Sequence, residues 1–487
     1  MSTKQALSNV RWVGVGQIGR LTLQFLSISF LSRLLSTQDF GLMAMATIVS
    51  NLGFLFRDLG TAAALIQKSD LTDDLVDTVF CLNVAFGVVV GLFTAISAPV
   101  TAHFFHASAL LGVLLSLSLT FPITSTGAAQ LALLERQHRF RTIARIEVSS
   151  AVAGLVTAIV CALKGFGVYS FVLQAIVIAV LSSLQIWLAS SHRQRWRWNP
   201  NEFRGIFRFS GNLTVFSLVN YFSRNADSML IGRFLGAESL GWYSVAYRIL
   251  LFPLQNFTFV SSRALLPIYS RYQDDRAVLR RMYVRTLAMI GSITCPLMMG
   301  LWALRYPFVE VAFGAKWIPV AHILAWFAPM GFLQSLLSTA GLLLSSIGRT
   351  EIMRTLGIVN SATVVASFFI GLRFGLTGLV IAYFCATVLL TAASLQVTLA
   401  RIGCSIFELV RQIWKQTLCA VAMAGLLVVL DKYLRTRIPA IGILAILVLF
   451  GASFYGLSLF MFSRGSLVDL RRVMSRSQAN PTFVSES

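Results

Sequence analysis

Apolar runs of about 20 residues, the length that a helix needs to cross a bilayer, recur along the chain and restrict its fold more than any other feature. Fourteen such runs have approximate centres at residues 22, 53, 87, 119, 154, 178, 219, 251, 293, 331, 362, 387, 424 and 450. The composition agrees, since 56% of the 487 residues are hydrophobic and only 12% are charged. The sequence therefore predicts an all-α integral membrane protein with about 14 transmembrane helices.

The charge pattern predicts an orientation for these helices. The net charge is +21, which in a soluble domain would suggest a nucleic-acid partner. Here Lys and Arg collect in the segments that face the cytoplasm if the N-terminus lies inside, most densely at residues 135–145, 192–198 and 271–285. This bias follows the positive-inside rule, so we expect both termini in the cytoplasm and no nucleic-acid partner.

An internal repeat predicts how the helices are organised. The segment "LSRLLSTQDFGLMAMA" (31–46) aligns with "IGRFLGAESLGWYSVA" (231–246), and "FGVYSFV" (166–172) aligns with "FGLTGLV" (374–380). Helices 1–6 thus repeat as helices 7–12 in the same membrane sense, a transporter plan that places the substrate between the halves. The predicted parts are an N-terminal six-helix bundle (1–200), a C-terminal six-helix bundle (201–402), helices 13 and 14 (403–464), and a disordered cytoplasmic tail (465–487).

Charged side chains inside the predicted spans indicate a polar cavity, because such groups are costly in a bilayer. The five in-span arginines are expected on helices 1, 2, 7 and 8, and helices 3–6 and 9–12 are expected to have essentially none. Polar residues on these helices recur every three or four positions, which places each set on one helix face. The predicted substrate-binding residues are Arg20, Gln24, Arg57, Asp58, Asn220, Arg224, Asp227, Arg248 and Gln255.

The excess of arginine predicts an anionic ligand. Arg is always charged and matches phosphate with a bidentate fork, so a phosphate or pyrophosphate headgroup would suit the cavity. A purely structural alternative stays open for Arg224 and Asp227, which could form an i, i+3 salt bridge. Arg20 and Arg248 have no acidic residue nearby in the sequence. The fifth arginine, Arg263, is expected to extend to the cytoplasmic edge of the bilayer.

Other chemistry has no sequence signal. The chain contains no Walker A motif, and its five histidines and six cysteines show no metal-binding or disulfide spacing. We therefore expect no catalytic residue, no metal and no cofactor. An ion gradient could drive transport, with Asp58 or Asp227 as a proton or sodium site, and the sequence leaves this open.

Three stretches carry a family resemblance: residues 31–46, "FRDLGTAAALIQKSDL" (56–71) and "NYFSRNADSMLIGRFLGAESLGWYSVAYRILLFPLQNF" (220–257). The segments "ERQHRFRTIARIEVSS" and "GFGVYSFVLQ" agree with it. In this ordered set the chain resembles the Wzx-type polysaccharide flippases of the multidrug/oligosaccharidyl-lipid/polysaccharide exporter superfamily. It is most similar to the branch of the colanic acid and teichuronic acid exporters. The resemblance covers roughly residues 8–410.

The resemblance implies two six-helix bundles around a central cavity that work by alternating access. The implied substrate is an oligosaccharide linked to a polyprenyl pyrophosphate of the undecaprenyl type, moved from the inner to the outer leaflet of the bacterial inner membrane. Relatives keep cavity arginines on the first, second and eighth helices, where Arg20, Arg57 and Arg248 stand here. Membrane lipids, a polysaccharide polymerase and export machinery are the implied partners.

Two alternatives belong to other functional classes. A multidrug-type exporter on the same fold would be expected to have twelve helices and an acid-rich cavity, which the arginines and the two extra helices argue against. A membrane enzyme, such as a polymerase or acyltransferase, would be expected to show a large outer loop or a His-containing catalytic cluster. Neither occurs in the sequence, so we expect a transporter and not an enzyme.

Overall fold

The computed structural model describes residues 3–57, 65, 72–190, 196, 218, 220–253, 259–435 and 439–462. Within these ranges every regular element is a helix, so the predicted all-α class is confirmed. The chain divides into two units, Met1–Gly241 and Trp242–Ser487. The bundle boundary expected after residue 200 stays a prediction, and the predicted disordered tail lies outside the described residues.

The first unit holds nine helices of the described chain and the start of a tenth. They are α1 (Thr3–Leu34), α2 (Thr37–Arg57), α3 (Asp73–Phe104), α4 (Ala109–Ser118), α5 (Thr120–Thr126), α6 (Ala128–Arg136), α7 (Phe140–Leu163), α8 (Tyr169–Ala189), α9 (220–234) and the first residues of α10 (Gly236–Pro253).

The second unit continues α10 and adds the remaining helices of the described chain. They are α11 (Phe259–Arg271), α12 (Arg276–Ala303), α13 (Arg305–Phe313), α14 (Ile318–Leu337), α15 (Ala340–Ser346), α16 (Thr350–Leu372), α17 (Gly375–Ala400), α18 (Ile406–Leu434) and α19 (Ala440–Phe462), with a short 3₁₀ turn at Ala315–Trp317.

Short polar side chains fix the starts of several long helices. The Thr72 side chain accepts a hydrogen bond from the Leu75 N–H at the start of α3. Asp275 does the same at α12, and Ser405 at α18. Each cap satisfies a backbone donor that the first turn of a helix leaves free, which defines where the apolar segment begins.

Eleven segments of the described chain are long and apolar enough to cross a membrane. They contain eleven of the fourteen predicted span centres and are 37–56, 73–104, 109–126, 140–163, 169–189, 276–303, 315–346, 350–372, 375–400, 406–434 and 440–461. Of the other centres, residue 22 lies in α1, residue 251 lies near the end of α10, and residue 219 falls outside the described residues. The total of fourteen therefore stays a prediction.

Apolar side chains on the outside of these helices fit a lipid environment. On α3, Phe93, Ile96 and Val100 are 66%, 75% and 71% exposed, respectively. They recur at the spacing of one helix face. So large an apolar surface would be unfavourable in water and is the natural outer surface of a membrane protein.

Small residues allow the helices of the first unit to pack closely. Gly87 on α3 faces α5, where an added Cβ would lie 3.0 Å from the carbonyl oxygen of Phe121, and Gly91 faces the end of α4, where a Cβ would lie 2.9 Å from the carbonyl oxygen of Ser118. Membrane helices pack through such positions because lipid supplies no hydrophobic force between them. A buried apolar cluster that includes Leu75, Phe80 and Leu133 joins α3 to α6 beside this contact.

Candidate functional site

A glycine face on α1 brings this helix close to α7. A Cβ atom added at Gly16 would lie 3.0 Å from Ala144 Cβ, and one added at Gly19 would lie 3.1 Å from Val148 Cγ2. Because the backbones approach so closely, long side chains that flank the glycines reach from one helix to the other. The guanidinium of Arg141 on α7 lies over the ring of Trp12 on α1, 5.1 Å from its centroid.

Arg20 pairs with an acidic residue on the facing helix. Its Nη1 donates to Glu147 Oε1 at 3.0 Å, and its other terminal nitrogen donates to the side-chain oxygen of Gln17. The Arg20 side chain is 50% exposed and that of Glu147 is 34% exposed, so the pair lies at the open edge of the helix contact. Arg20 has no acid near it in the sequence, but it has one in the fold.

Glu147 is a charged residue that was not among those singled out from the sequence. It lies two turns inside α7, within the candidate span 140–163. Arg20 compensates its charge across the helix contact. A signal existed in the sequence, since Glu147 is an acidic residue at the start of the apolar run that follows Arg145, but the sequence does not show which helix it faces.

A second carboxyl group lies within the electrostatic range of Glu147. Glu135, half-buried at the end of α6, is outside the candidate spans. Burial raises the pKa of the Glu135 carboxyl, and the negative charge of Glu147 raises it further. Gln17, Arg20, Glu135 and Glu147 therefore form one linked group, which we call the Arg20 cluster.

The remaining polar residues of α1 separate into two environments. Gln24 is exposed, one helical turn beyond Arg20. Ser27 is buried and accepts a hydrogen bond from Gln174 Nε2 on α8 at 3.2 Å. The exposed part of the predicted polar face thus ends at Gln24, and Ser27 belongs to the packing between helices.

On α9 the structure separates the two charges that the sequence placed on one face. Asp227 is 3% exposed, whereas Arg224 and Asn220 are exposed. Asp227 Oδ1 accepts a hydrogen bond from the Ser228 N–H at 2.6 Å. The alternative of an i, i+3 salt bridge between Arg224 and Asp227 stays a prediction.

Hydrogen bonds tie α9 to α2 beside these charges. The hydroxyl of Tyr221 donates to the carbonyl oxygen of Ile48 on α2. Within α9, Asn225 Nδ2 donates to the carbonyl oxygen of Tyr221 at 2.8 Å. Asn225 is thereby occupied with its own helix, while Arg224 stays exposed.

The other predicted residues are only partly described. Arg248 is exposed on α10, in the second unit. Arg57 is the last residue of α2, and its side chain, like Asp58 and Gln255, lies outside the described residues. The side chain of Arg263 on α11 lies outside them as well. The structure thus joins Arg20 to Glu147 and Gln17, and a common cavity for all nine predicted residues stays a prediction.

The two copies of the repeated motif meet within the first unit. Thr37 Oγ1 donates to Glu238 Oε1 at 3.0 Å. A Cβ at Gly41 would overlap the carbonyl oxygen of Ala237, and a Cβ at Gly241 would overlap that of Thr37. Gly41 and Gly241 are counterparts in the repeat, as are Thr37 and Ala237, so the contacts are reciprocal. We call this contact the glycine crossing.

Comparison with known proteins shows a family for the chain. A family model described as "Polysaccharide biosynthesis protein" matches residues 30–322. The chain is 28% identical over 356 residues to the teichuronic acid biosynthesis protein TuaB of Bacillus subtilis (strain 168), covering 72% of this chain and 73% of that protein. It is 25% identical over 375 residues to the lipopolysaccharide biosynthesis protein WzxC of Escherichia coli (strain K12), covering 76% and 75%.

A solved structure shares the fold. The chain superimposes on the lipid II flippase MurJ in its inward closed conformation with a TM-score of 0.73 and 16% sequence identity. The match covers 93% of this chain and 99% of that one. At this identity the likeness establishes the fold alone.

Proposed function

The chain belongs to the family of polysaccharide biosynthesis proteins, and from that premise we propose that it is a flippase for lipid-linked oligosaccharides. It moves polyprenyl-pyrophosphate-linked repeat units from the inner to the outer leaflet of the bacterial inner membrane, for the synthesis of a polysaccharide. The fold shared with a lipid II flippase and the sequence similarity to TuaB and WzxC support this reading.

The observation that carries the proposal is the half-exposed arginine on α1. Arg20 keeps half of its side chain accessible, although one carboxylate already neutralises it. A cation retained in a helix predicted to cross the membrane, and open to a ligand, indicates function because charged side chains within membranes are costly and mark substrate pathways. Its planar fork fits the oxygens of a phosphate.

The chemistry of transport needs no covalent step. The pyrophosphate binds arginine side chains, for which Arg20 and Arg224 in the first unit and Arg248 in the second are all exposed. The sugar occupies a polar cavity, and the lipid tail remains in the bilayer. Alternating access then carries the headgroup from one leaflet to the other, so the protein acts as a transporter and not as an enzyme.

The lipid carrier is of the undecaprenyl type, both termini face the cytoplasm, and a polysaccharide polymerase and export machinery receive the flipped product. Asp227 is a candidate proton or sodium site, because a buried carboxylate on a membrane helix gains from binding a cation. Asp58 remains a second candidate for that role.

A multidrug-type exporter on the same fold is the alternative. Its cationic substrates would require carboxylates facing the cavity. Among the described residues of α1 and α9, the exposed charged side chains named above are arginines, and the acid Asp227 is buried. The arginines thus favour the anionic substrate.

Lipid analysis of a deletion strain tests the proposed function. Loss of a flippase should cause a polyprenyl-pyrophosphate oligosaccharide to accumulate on the cytoplasmic side, and mass spectrometry of the extracted lipids would detect it and identify the sugar. Expression of the wild-type chain should remove the accumulated lipid. A deletion strain with normal lipids and a new sensitivity to cationic drugs would instead support the multidrug exporter.

A further inference from the structure

The Arg20 cluster contains an acidic residue, Glu147, to which the proposed function assigns no role. The Glu147 carboxylate reaches across the helix contact, with Oε1 on Arg20 and with Oε2 3.6 Å from where a Cβ of Gly16 would be. The glycine face of α1 thus provides the room in which this carboxylate lies. The position of Glu147 relative to Arg20 is therefore fixed by the packing of two helices and not by a flexible loop.

Glu147 and a phosphate would compete for the same guanidinium. Each terminal nitrogen of Arg20 has a protein acceptor, Glu147 on one and Gln17 on the other. Each of these nitrogens carries two N–H groups, so a phosphate on the outer edge of the fork would share both nitrogens with Glu147 and Gln17. Because the carboxylate already neutralises the guanidinium, it competes with the phosphate for the same positive charge.

We propose that Glu147 is a positioning residue for substrate transfer: it holds Arg20 in the empty protein, gives way to the phosphate of the lipid-linked substrate, and returns to Arg20 when the substrate leaves. The inference rests on the proposed function and deepens it. Competition weakens binding, and that aids release, since a transporter must let go of its substrate as well as bind it.

The charges around the pair are consistent with this exchange. Facing Arg20 are Gln17 on its own helix and Glu147 on α7, with Glu135 on α6 within the electrostatic range of Glu147. Arg141 is nearer the N-terminal end of the contact, where it stacks on Trp12. When phosphate takes Arg20, Glu147 is left near another acid and without its cation, which favours the return of the original pair.

Binding of farnesyl pyrophosphate to the purified full-length protein in detergent tests the inference. We expect Glu147→Gln to lower the Kd by about two- to fivefold, the strength of a half-exposed ion pair. Arg20→Gln should weaken binding. The double variant should bind as Arg20→Gln alone does, because Glu147 acts only through Arg20. A merely structural role would instead change affinity equally in both backgrounds.

The matched control is Glu351→Gln, which removes the acid of an exposed pair with Arg349 in the second unit and should leave the Kd unchanged. If Glu147→Gln does not fold, Glu147→Asp shortens the reach to Arg20 and should tighten binding in the same direction. Unchanged or weaker binding in the folded Glu147 variants would overturn the inference alone. A wild-type protein that fails to bind farnesyl pyrophosphate would overturn the proposed function together with it.

Discussion

At the scale of the residue, the sequence identified the arginines but not their partners. Arg20 could be predicted from its place in a polar face of α1, because periodicity within one helix is a local signal. Glu147 could not, since 127 residues separate it from Arg20 and only the packing of α1 on α7 brings the two together. A single sequence therefore does not show which side chains of the site pair between helices.

The raised pKa of Glu135 predicts that its effect on the stability of the protein depends on pH. Its pKa is raised in the fold, so the protonated form is favoured there and the ionised form destabilises the protein at neutral pH. Glu135→Gln should raise the Tm at pH 7.5 by about 1–3 °C. The gain should vanish as the pH falls below the ordinary pKa of a Glu carboxyl, where the wild-type side chain is also neutral.

Thermal unfolding in detergent, followed by tryptophan fluorescence at pH 7.5 and pH 4, measures this difference. The control Glu351→Gln removes an exposed acid far from Glu147 in the sequence and should show no such pH-dependent gain. An equal gain for Glu135→Gln at both pH values would show that charge is not its cause.

At the scale of the element, α9 shows why a shared helix face is only an approximation. Arg224 and Asp227 are three residues apart, which places them about 60° apart around the helix. That angle is enough, at the edge of a contact with α2, to bury Asp227 and expose Arg224. The spacing could predict that the two residues are neighbours, but not that they lie on opposite sides of a packing boundary.

A hydrophobicity scan of the sequence also does not show where an apolar run is divided into separate helices. The span predicted near residue 119 consists of α4 and α5, with the break at Leu119. Pro122 lacks the N–H that would bond to the carbonyl of Ser118, which gives a physical reason for this break. The run near residue 331 is likewise divided into a 3₁₀ turn, α14 and α15.

The close backbone contact at the glycine crossing predicts that a larger side chain there lowers the stability of the protein. A Cβ at Gly41 would overlap the carbonyl oxygen of Ala237, so Gly41→Ala must push α2 and the start of α10 apart. We expect a loss of about 1–3 kcal/mol in the free energy of unfolding, as for other overpacked sites. A lower midpoint of chemical denaturation in detergent would show this loss of stability.

The control for this change is Gly425→Ala on α18, where an added Cβ meets nothing within 4 Å. It should be neutral or slightly stabilising, because Ala favours helices more than Gly does. Equal stability of the Gly41→Ala and Gly425→Ala proteins would show that the crossing is loose.

At the scale of the whole molecule, the sequence was sufficient for the fold class and the family. Membrane crossing is encoded in the length of apolar runs, which is why eleven of the predicted centres fall in eleven candidate spans. The resemblance to polysaccharide flippases is confirmed by the family match and by TuaB and WzxC. The arrangement of the two units around a cavity involves residues far apart in the chain, and it stays a prediction.

The most direct test of the account is flipping by the purified protein in liposomes. The substrate would be a fluorescent polyprenyl-pyrophosphate oligosaccharide, and the measured quantity is the rate at which it crosses to the opposite leaflet. Arg20→Gln and Arg248→Gln should slow the wild-type rate by about tenfold or more, since each loses charge-assisted hydrogen bonds to phosphate. Arg354→Gln, which removes another exposed arginine in the second unit, should keep the wild-type rate. A wild-type rate no faster than that of empty liposomes, or arginine variants as fast as the wild type, would contradict the account.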